Sequence, residues 1–504
     1  MTSAQMLTLQ IGPMAHGGHC IARHEGRVVF VRHAVPGETV RAAVTEGGEG
    51  AKFWRADVVE VLRPSDHRRR HVWKQADALR AHELGRVPVG GADYGHITDA
   101  HQRRLKGHVF RDALARIGGI DLADMRLPGL PADGELHVEP VEPISPGGLH
   151  WRTRVSFGVT GSGGLGMKPF RSHDLVELRS MPLAVEALGE STLFSWDFQH
   201  ATTVDVVAPG GAGPLALIVH VEVTEGEEAD SAVAELTERL RRQAGQASGV
   251  QSITLALRHA PPASTARPPG SAGGSRAAVA RRSGRRGKAL GTPTPTRVEY
   301  RCIVGERTVR EPLPSGFAAP EGQRESVQIA PEGFWQIHRG APRALVSAAV
   351  EMSQVAPGDS AADLYAGAGL FTAWLAGSVG SAGHVLSVEA AGVSHEAAVE
   401  LFQGVSHVHP VGQPVERTLQ RLTEMPGRPR LVLLDPPRAG AGQRVIAGLD
   451  AVAPEQILYV SCDPASFARD AKQLLSLGWR LRRLRVLDMY PNTHHMESVA
   501  LFTH

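Results

Sequence analysis

Asp363-Leu364-Tyr365-Ala366-Gly367-Ala368-Gly369 is the stretch on which the reading of this 504-residue chain turns. It ends the apolar run 360–365 and leads into helical spacing at 370–375, so a strand passes through a glycine turn into a helix. Gly367 and Gly369 allow the sharp turn and a close backbone approach to a ligand. Glu389 closes the next strand-like run, 20 residues after Gly369, where an acid accepts hydrogen bonds from ribose hydroxyls. Together they suit an adenosine-bearing ligand. The third glycine of a dinucleotide fingerprint would fall at Thr372, which argues against a nicotinamide-dependent enzyme.

Outward from this turn, residues 326–504 alternate strand and helix. Strand-like runs lie at 360–365, 384–389, 431–434 and 456–460, and helical patterns at 344–352, 370–375, 395–402, 443–449 and 466–475. The alternation predicts a mainly parallel sheet with helices on both faces, binding ligands outside the carboxyl ends of its strands. Three segments converge on that edge. They are Asp435-Pro436-Pro437-Arg438, Ser461-Cys462-Asp463-Pro464, and the stretch from Asp488 to Glu497 that holds Tyr490, His494 and His495. The two prolines preset the direction of the loop after Asp435. Cys462 stands past a strand end before a helix start, a place that favours a thiolate, although a lone cysteine also serves as a small buried hydrophobe.

Residues 1–63 read as an all-β module. Apolar runs at 7–11, 28–31, 39–44 and 56–61 are separated by Gly17-Gly18, Pro36-Gly37 and Gly47-Gly48. Small closed barrels of this kind bind oligonucleotides on an open face. Arg23, Arg27, Arg32, Arg41 and Arg55 are available to line one, with about half merely solvated by strand geometry. Residues 64–325 form a central α+β region, with a basic stretch at 67–71. Its helical spacing over 100–117 places Leu105, Val109, Leu114 and Ile117 on one side; strand-like runs lie at 151–159 and 217–223, and an amphipathic helix at 232–246. Within it, 261–296 is rich in Pro, Gly, Ser and Ala and carries seven cations from Arg267 to Lys288 with no acid. Such composition cannot bury a core and reads as a disordered insertion.

Composition narrows the class. Apolar residues are 42% and charged residues 21%, which excludes a wholly disordered chain. Three cysteines exclude a disulfide framework and any four-cysteine metal site within the chain. No early run reads as a signal peptide and none approaches the ~18 apolar residues of a membrane span, so a reducing cytoplasm is the expected compartment. The net charge is only +2, yet all but six of the 54 basic residues are arginine, a side chain suited to phosphates and to stacking on bases. Inflated Ala, Gly and Pro make a GC-rich genome the simpler explanation. His494 and His495 have no matching Cys or Asp cluster, so no metal is expected.

The runs DPPRxG (435–440), SCDPxxxARD (461–470) and PxTxHxE (491–497) together resemble the RNA uracil-5 methyltransferases, which form 5-methyluridine in tRNA or 23S rRNA. Phe334-Trp335-Gln336-Ile337-His338 is similar to their F-x-Q-V-N segment, with His338 in place of Asn. The first module resembles a TRAM domain at Gly17-Gly18, Phe30-Val31 and Pro36-Gly37-Glu38. The resemblance is strong over 326–504, fair over 5–62 and weak between. It implies a multidomain chain: an OB-like TRAM β-barrel (1–63) that holds RNA, the central α+β region (64–325), and a Rossmann-like class I methyltransferase domain (326–504). It further implies S-adenosylmethionine as cofactor, bound by Gln336, Tyr365, Gly367, Gly369, Glu389 and Asp435, the last also near the uracil. Cys462 would be the nucleophile adding to uracil C6 and Glu497 the general base. The implied partner is an rRNA or tRNA uridine swung out of its stack; no membrane and no protein partner is inferred.

Departures from the family pattern matter equally. Many relatives carry a four-cysteine iron–sulfur cluster, but residues 81–97 hold no cysteine, so no cluster is expected. Ala366 stands where relatives often have Cys, and Gln413 where an acid is usual on the adenine side. Cys20 and Cys302 read as structural. Two competing readings stay open: a methyltransferase for another acceptor, either protein or another base, with Cys462 as discriminator because amino-group methylation needs no thiol, and an RNA-binding protein with a decayed catalytic domain.

Overall fold

The structure is a computed structural model that describes residues 5–48, 50–223, 227–247, 249–259, 297–320, 322 and 324–504. The stretch expected to be disordered, 261–296, lies outside the described residues.

Strands Met6–Gln10, Cys20–His24, Arg27–Arg32, Thr39–Glu46 and Phe53–Arg63 form one sheet in the spatial order first, fourth, fifth, third, second. Every neighbouring pair is antiparallel except Arg27–Arg32 with Phe53–Arg63. The Gly12 N–H donates to the Ile21 carbonyl (2.8 Å) and the Ile21 N–H to that of Pro13 (2.9 Å), which ties the two outer strands together. Period-two alternation sends Ala22, Val29, Val31, Ala56 and Val58 into the core and leaves Ile21, Phe30 and Arg55 on the opposite face. Cys20–His24 is hard to read in the sequence because its buried positions are the small residues Cys20 and Ala22 while Ile21 points to the other face.

The largest sheet has eight strands. From one edge run Val408–Val411, His384–Val388, Ser360–Leu364, Leu431–Leu434 and Gln456–Ser461, all parallel. Glu497–Thr503 follows, antiparallel to both its neighbours, then Arg480–Asp488 and Val138–Pro140. Burial of Leu431–Leu434 on both faces explains its unbroken apolar run. Leu431 and Leu433 pack into a core with helices Ala341–Met352, Leu370–Val379 and Gly392–Leu401. Val432 and Leu434 pack into a second core with Val415–Thr423, Gly442–Val452 and Pro464–Ser476. Each fully buried leucine contributes about 1.5–3 kcal/mol.

The central region divides differently from the single block 64–325. Helix Asp99–Ala113 and strand Val138–Pro140 join the C-terminal body: Val109, Phe110 and Val138 share a core with Phe467, Trp479 and Val486. The strand covers the otherwise open edge of Arg480–Asp488, and the helix gains an apolar partner for its stripe. Lys106 of that helix is fully buried and donates to Asp488 Oδ1 at 2.6 Å. Ile117 departs from the expected apolar side and is exposed, because the helix widens into a π turn over Leu114–Gly118 that rotates the following residues. The rest of the region is a seven-stranded sheet that includes Arg154–Val159, Thr203–Val207, Leu215–Val223 and Val250–His259, with helix Glu227–Gln246 against it.

Candidate active site

Four adjacent parallel strands release Tyr365, Glu389, Asp435 and Cys462 at their carboxyl ends. The turn after Ser360–Leu364 needs left-handed backbone at Tyr365 (φ 64°), Gly367 (φ 56°) and Gly369 (φ 96°). At Gly369 a Cβ would also come within 2.8 Å of the Phe402 ring. The Glu389 carboxylate accepts from the Gly367 N–H at 2.9 Å and the Ala391 N–H at 2.6 Å, so the acid and the glycine turn paired by spacing are in contact. Thr372 is fully buried; its hydroxyl donates to Asp363 (2.6 Å) and lies 2.9 Å from the Ser387 hydroxyl. A glycine there would lose that tie between two strands, which accounts for the interrupted fingerprint. Phe334, Gln336, Tyr365, Gly367, Leu370 and Asp435 line a cavity beside the turn.

Ser461 pairs with Ser498 across the antiparallel strands Gln456–Ser461 and Glu497–Thr503, so Cys462 and Glu497 lie at the same end of that pair. Asp463 caps helix Pro464–Ser476, accepting from the Ser466 N–H at 2.7 Å. The helix start was expected to favour a thiolate; the structure corrects this. Burial, reinforced by the Glu497 and Asp435 carboxylates, pushes the half-buried Cys462 thiol up to about 12, with Arg438 opposing. The resting group is therefore a thiol. Glu497 is buried and accepts from the Tyr490 hydroxyl at 3.2 Å. Burial, and then the neighbouring Asp435, hold its carboxyl well above the usual range. Burial and the Asp363 charge likewise push Asp435 up to about 7, and Gln336 Nε2 approaches its Oδ2 at 3.5 Å.

Several supporting residues were not singled out from the sequence. Asp470 is buried and accepts from the Ala441 N–H (2.8 Å), the Gly442 N–H (3.2 Å) and the Tyr459 hydroxyl (2.7 Å). The last acid of one run thus anchors the loop of another, and its place inside SCDPxxxARD was the available signal. Asn492 donates to the Gly147 and Gly148 carbonyls at 2.8 Å and accepts from Arg69 (2.7 Å) and Gln102 (2.9 Å). It fixes the loop between Tyr490 and Glu497 to the central region. The first module reaches the same loops: His16 Nε2 lies 3.5 Å from Asp463 Oδ2, and a Cβ on Gly18 would sit 3.1 Å from His494.

The remaining singled-out residues have plainer places. His338 is buried, accepts from the Gly340 N–H at 3.0 Å and stacks on Trp151, a turn-holding role outside the cavity. Gln413 is exposed just past Val408–Val411, while burial, and then Glu416 three residues on from Gln413, push the Tyr365 hydroxyl up. Ala366 donates its N–H to Val388. Cys20 is buried in the first module, whereas Cys302 is exposed. His494 pairs with Asp93 at 2.8 Å. Among the described residues no group of three metal-ligating side chains occurs, and no helix is long and apolar enough to cross a membrane.

Comparison with known proteins adds independent findings. The TRAM domain family model matches residues 4–59, and that of tRNA (Uracil-5-)-methyltransferase matches 416–504. An uncharacterized RNA methyltransferase of Streptomyces coelicolor is 33% identical, over 98% of this chain and 92% of its own length. The 23S rRNA (uracil(1939)-C(5))-methyltransferase of Shewanella denitrificans is 27% identical, over 98% of this chain and 95% of its own. The crystal structure of Pyrococcus abyssi tRNA (uracil-54, C5)-methyltransferase in complex with S-adenosyl-L-homocysteine superposes with a TM-score of 0.60 at 19% identity, covering 99% of this chain and 100% of that one. At that identity the likeness speaks for the fold alone.

Proposed function

The chain belongs to the RNA uracil-5 methyltransferase family, and from that premise we propose that it methylates C5 of an RNA uridine through a covalent adduct on Cys462. It is an S-adenosylmethionine-dependent RNA methyltransferase. In this reading the first sheet is an OB-like TRAM barrel and the C-terminal sheet a Rossmann-like class I methyltransferase domain.

The donor fits the cavity by the chemistry of its lining. The turn at Gly367 leaves open space, since a Cβ there would meet only Phe334, at 3.8 Å. Glu389 stands beside it as a ribose acceptor, with Gln336, Tyr365 and Asp435 around it. When bound, S-adenosylmethionine supplies an electrophilic methyl group. Uracil C5 is a poor nucleophile, and addition of a thiolate to C6 makes it carbanion-like. Cys462 gives its proton to solvent and its sulfur forms the S–C6 bond, with the C5–C6 π pair moving to the uracil carbonyl oxygen. C5 then takes the methyl group, and the electron pair of the broken sulfur–methyl bond stays with the departing S-adenosylhomocysteine. The Glu497 carboxylate removes the C5 proton, the S–C6 bond breaks, and the thiolate returns. A carboxylate held above its usual range is, once ionised, a correspondingly stronger base. The target base must leave its stack to reach Cys462.

The observation that carries this reading is the meeting of Cys462 and Glu497 at one strand end beside the glycine turn and Asp435. Cys462→Ala should abolish both 5-methyluridine formation and the covalent adduct with 5-fluorouridine RNA; full activity in that variant would end the mechanism. Mass mapping of 5-methyluridine in RNA from a strain lacking the gene identifies the uridine.

A further inference from the structure

Aromatic side chains gathered into one exposed patch mark a surface on which something docks. Phe53 is 40% exposed on the first module, and Phe30 is half-buried beside it. Their rings sit 5.4 Å apart at 76°, on the face opposite the buried core residues Val29, Trp54 and Ala56. The His19 ring meets Phe30 edge-on at 5.5 Å. Burial, and then Arg55, lower His19 to about 4, so near neutrality it is an uncharged ring. The line of rings continues past the module. Gly18 abuts His494; His494 and His495 lie 4.0 Å apart, His495 and Tyr490 5.9 Å, and the Tyr490 hydroxyl reaches Glu497. The rings of the first module and those of the loop that holds Tyr490 and Glu497 thus meet at the Gly18–His494 contact.

Cations are interleaved with these rings. The Arg55 guanidinium stands 5.2 Å from Phe53 and 5.6 Å from Phe30, and Arg23 is exposed one strand away. Arg32 lies 4.2 Å over Phe170, itself 37% exposed. The acids of this face, Glu46, Asp57 and Glu60, are engaged with Arg55 (2.9 Å), Arg32 (2.8 Å) and Arg41 (3.0 Å). Alternating π faces and guanidiniums match a chain of unstacked bases on an anionic backbone, whereas a duplex hides its base faces.

We propose that the Phe53–Phe30–His19 face is a stacking platform for unpaired RNA bases flanking the target uridine, continuous through His494 and His495 with the catalytic loop. This rests on the RNA methyltransferase reading, but its test does not depend on turnover. The probe is a single-stranded RNA of about 12 nucleotides, within the usual site size, carrying 2-aminopurine beside its one uridine. With the full-length protein, Phe53→Ala should weaken binding roughly tenfold, the loss expected for one stacked base. It should also relieve 2-aminopurine quenching while leaving the salt dependence of binding unchanged. Phe53→Trp should keep both signals, and S-adenosylhomocysteine affinity should not move. Phe30→Ala with Phe53→Ala should lose more; if that variant misfolds, Phe53→Ala alone decides, because its ring is already exposed. Wild-type affinity and quenching in Phe53→Ala, or an equal loss on a hairpin duplex of the same sequence, overturns the proposal. Failure to make 5-methyluridine would instead strike the functional reading and leave this binding result to be judged by itself.

Discussion

The catalytic edge of the C-terminal sheet and the outer face of the N-terminal sheet treat water in opposite ways. At the first, Asp363 and Glu497 are buried and Cys462 and Asp435 half-buried, and burial is the largest influence on each of them. At the second, Phe53, Arg23 and the Arg41–Glu60 pair stay exposed. Withdrawal strengthens every charge interaction and keeps proton transfers local. Exposure gives reach over a long flexible ligand, at the cost of screening by salt. In the proposed reading, proton chemistry and grip on the substrate sit in separate places, joined where Gly18 meets His494 and His16 meets Asp463.

Glu497→Gln puts the largest strain on that separation. Turnover should fall by about 10²–10⁴-fold, the usual worth of a general base. The covalent RNA adduct should nevertheless persist and accumulate, because its formation precedes the step that Glu497 serves. Denaturing gels and mass spectrometry read both; loss of adduct in parallel with turnover would merge the two roles. The pH dependence is next in size. Burial and the two carboxylates raise the Cys462 thiol, so its thiolate is scarce near neutrality and grows as pH rises. Iodoacetamide labelling of the Cys462 peptide should climb roughly tenfold per pH unit and continue past the ordinary thiol value of about 8.5. A plateau there would show that the helix start prevails over burial. Glu497→Gln should shift the curve to lower pH, since it removes one of the opposing charges. The smallest effect belongs to Arg41→Ala. Its partner Glu60 is about equally exposed, so the loss in thermal stability should be at most ~1 kcal/mol, and the affinity for single-stranded RNA should hardly change. A loss equal to that of Phe53→Ala would mean that charge, and not stacking, governs the module.

The same contrast explains what could be read in advance. Parallel strands buried on both faces appear as apolar runs, so 431–434 and the strand-end positions of Asp435, Glu389 and Cys462 were legible. Arg480–Asp488 was hidden by its four arginines, and its pairing with the edge strand Val138–Pro140 joins distant parts of the chain. The Asp470 and Asn492 anchors depend on tertiary approach, which spacing does not encode. The direction of the Cys462 shift was misjudged for a related reason. A helix start is visible in sequence, whereas the burial and carboxylates that outweigh it exist only after folding.

The small strand Val138–Pro140 bears on how the molecule is made. Helix Asp99–Ala113 and this strand leave the ribosome long before Arg480–Asp488 and Trp479, which complete their surroundings. Until then Phe110 and Leu114 have no finished core, and Lys106 waits for Asp488. The catalytic body must close late in synthesis, by a contact between distant parts of the chain, which is the slow and aggregation-exposed kind. An excised fragment starting at residue 326 would lack both pieces, leaving a bare sheet edge where the chain now supplies its own cover.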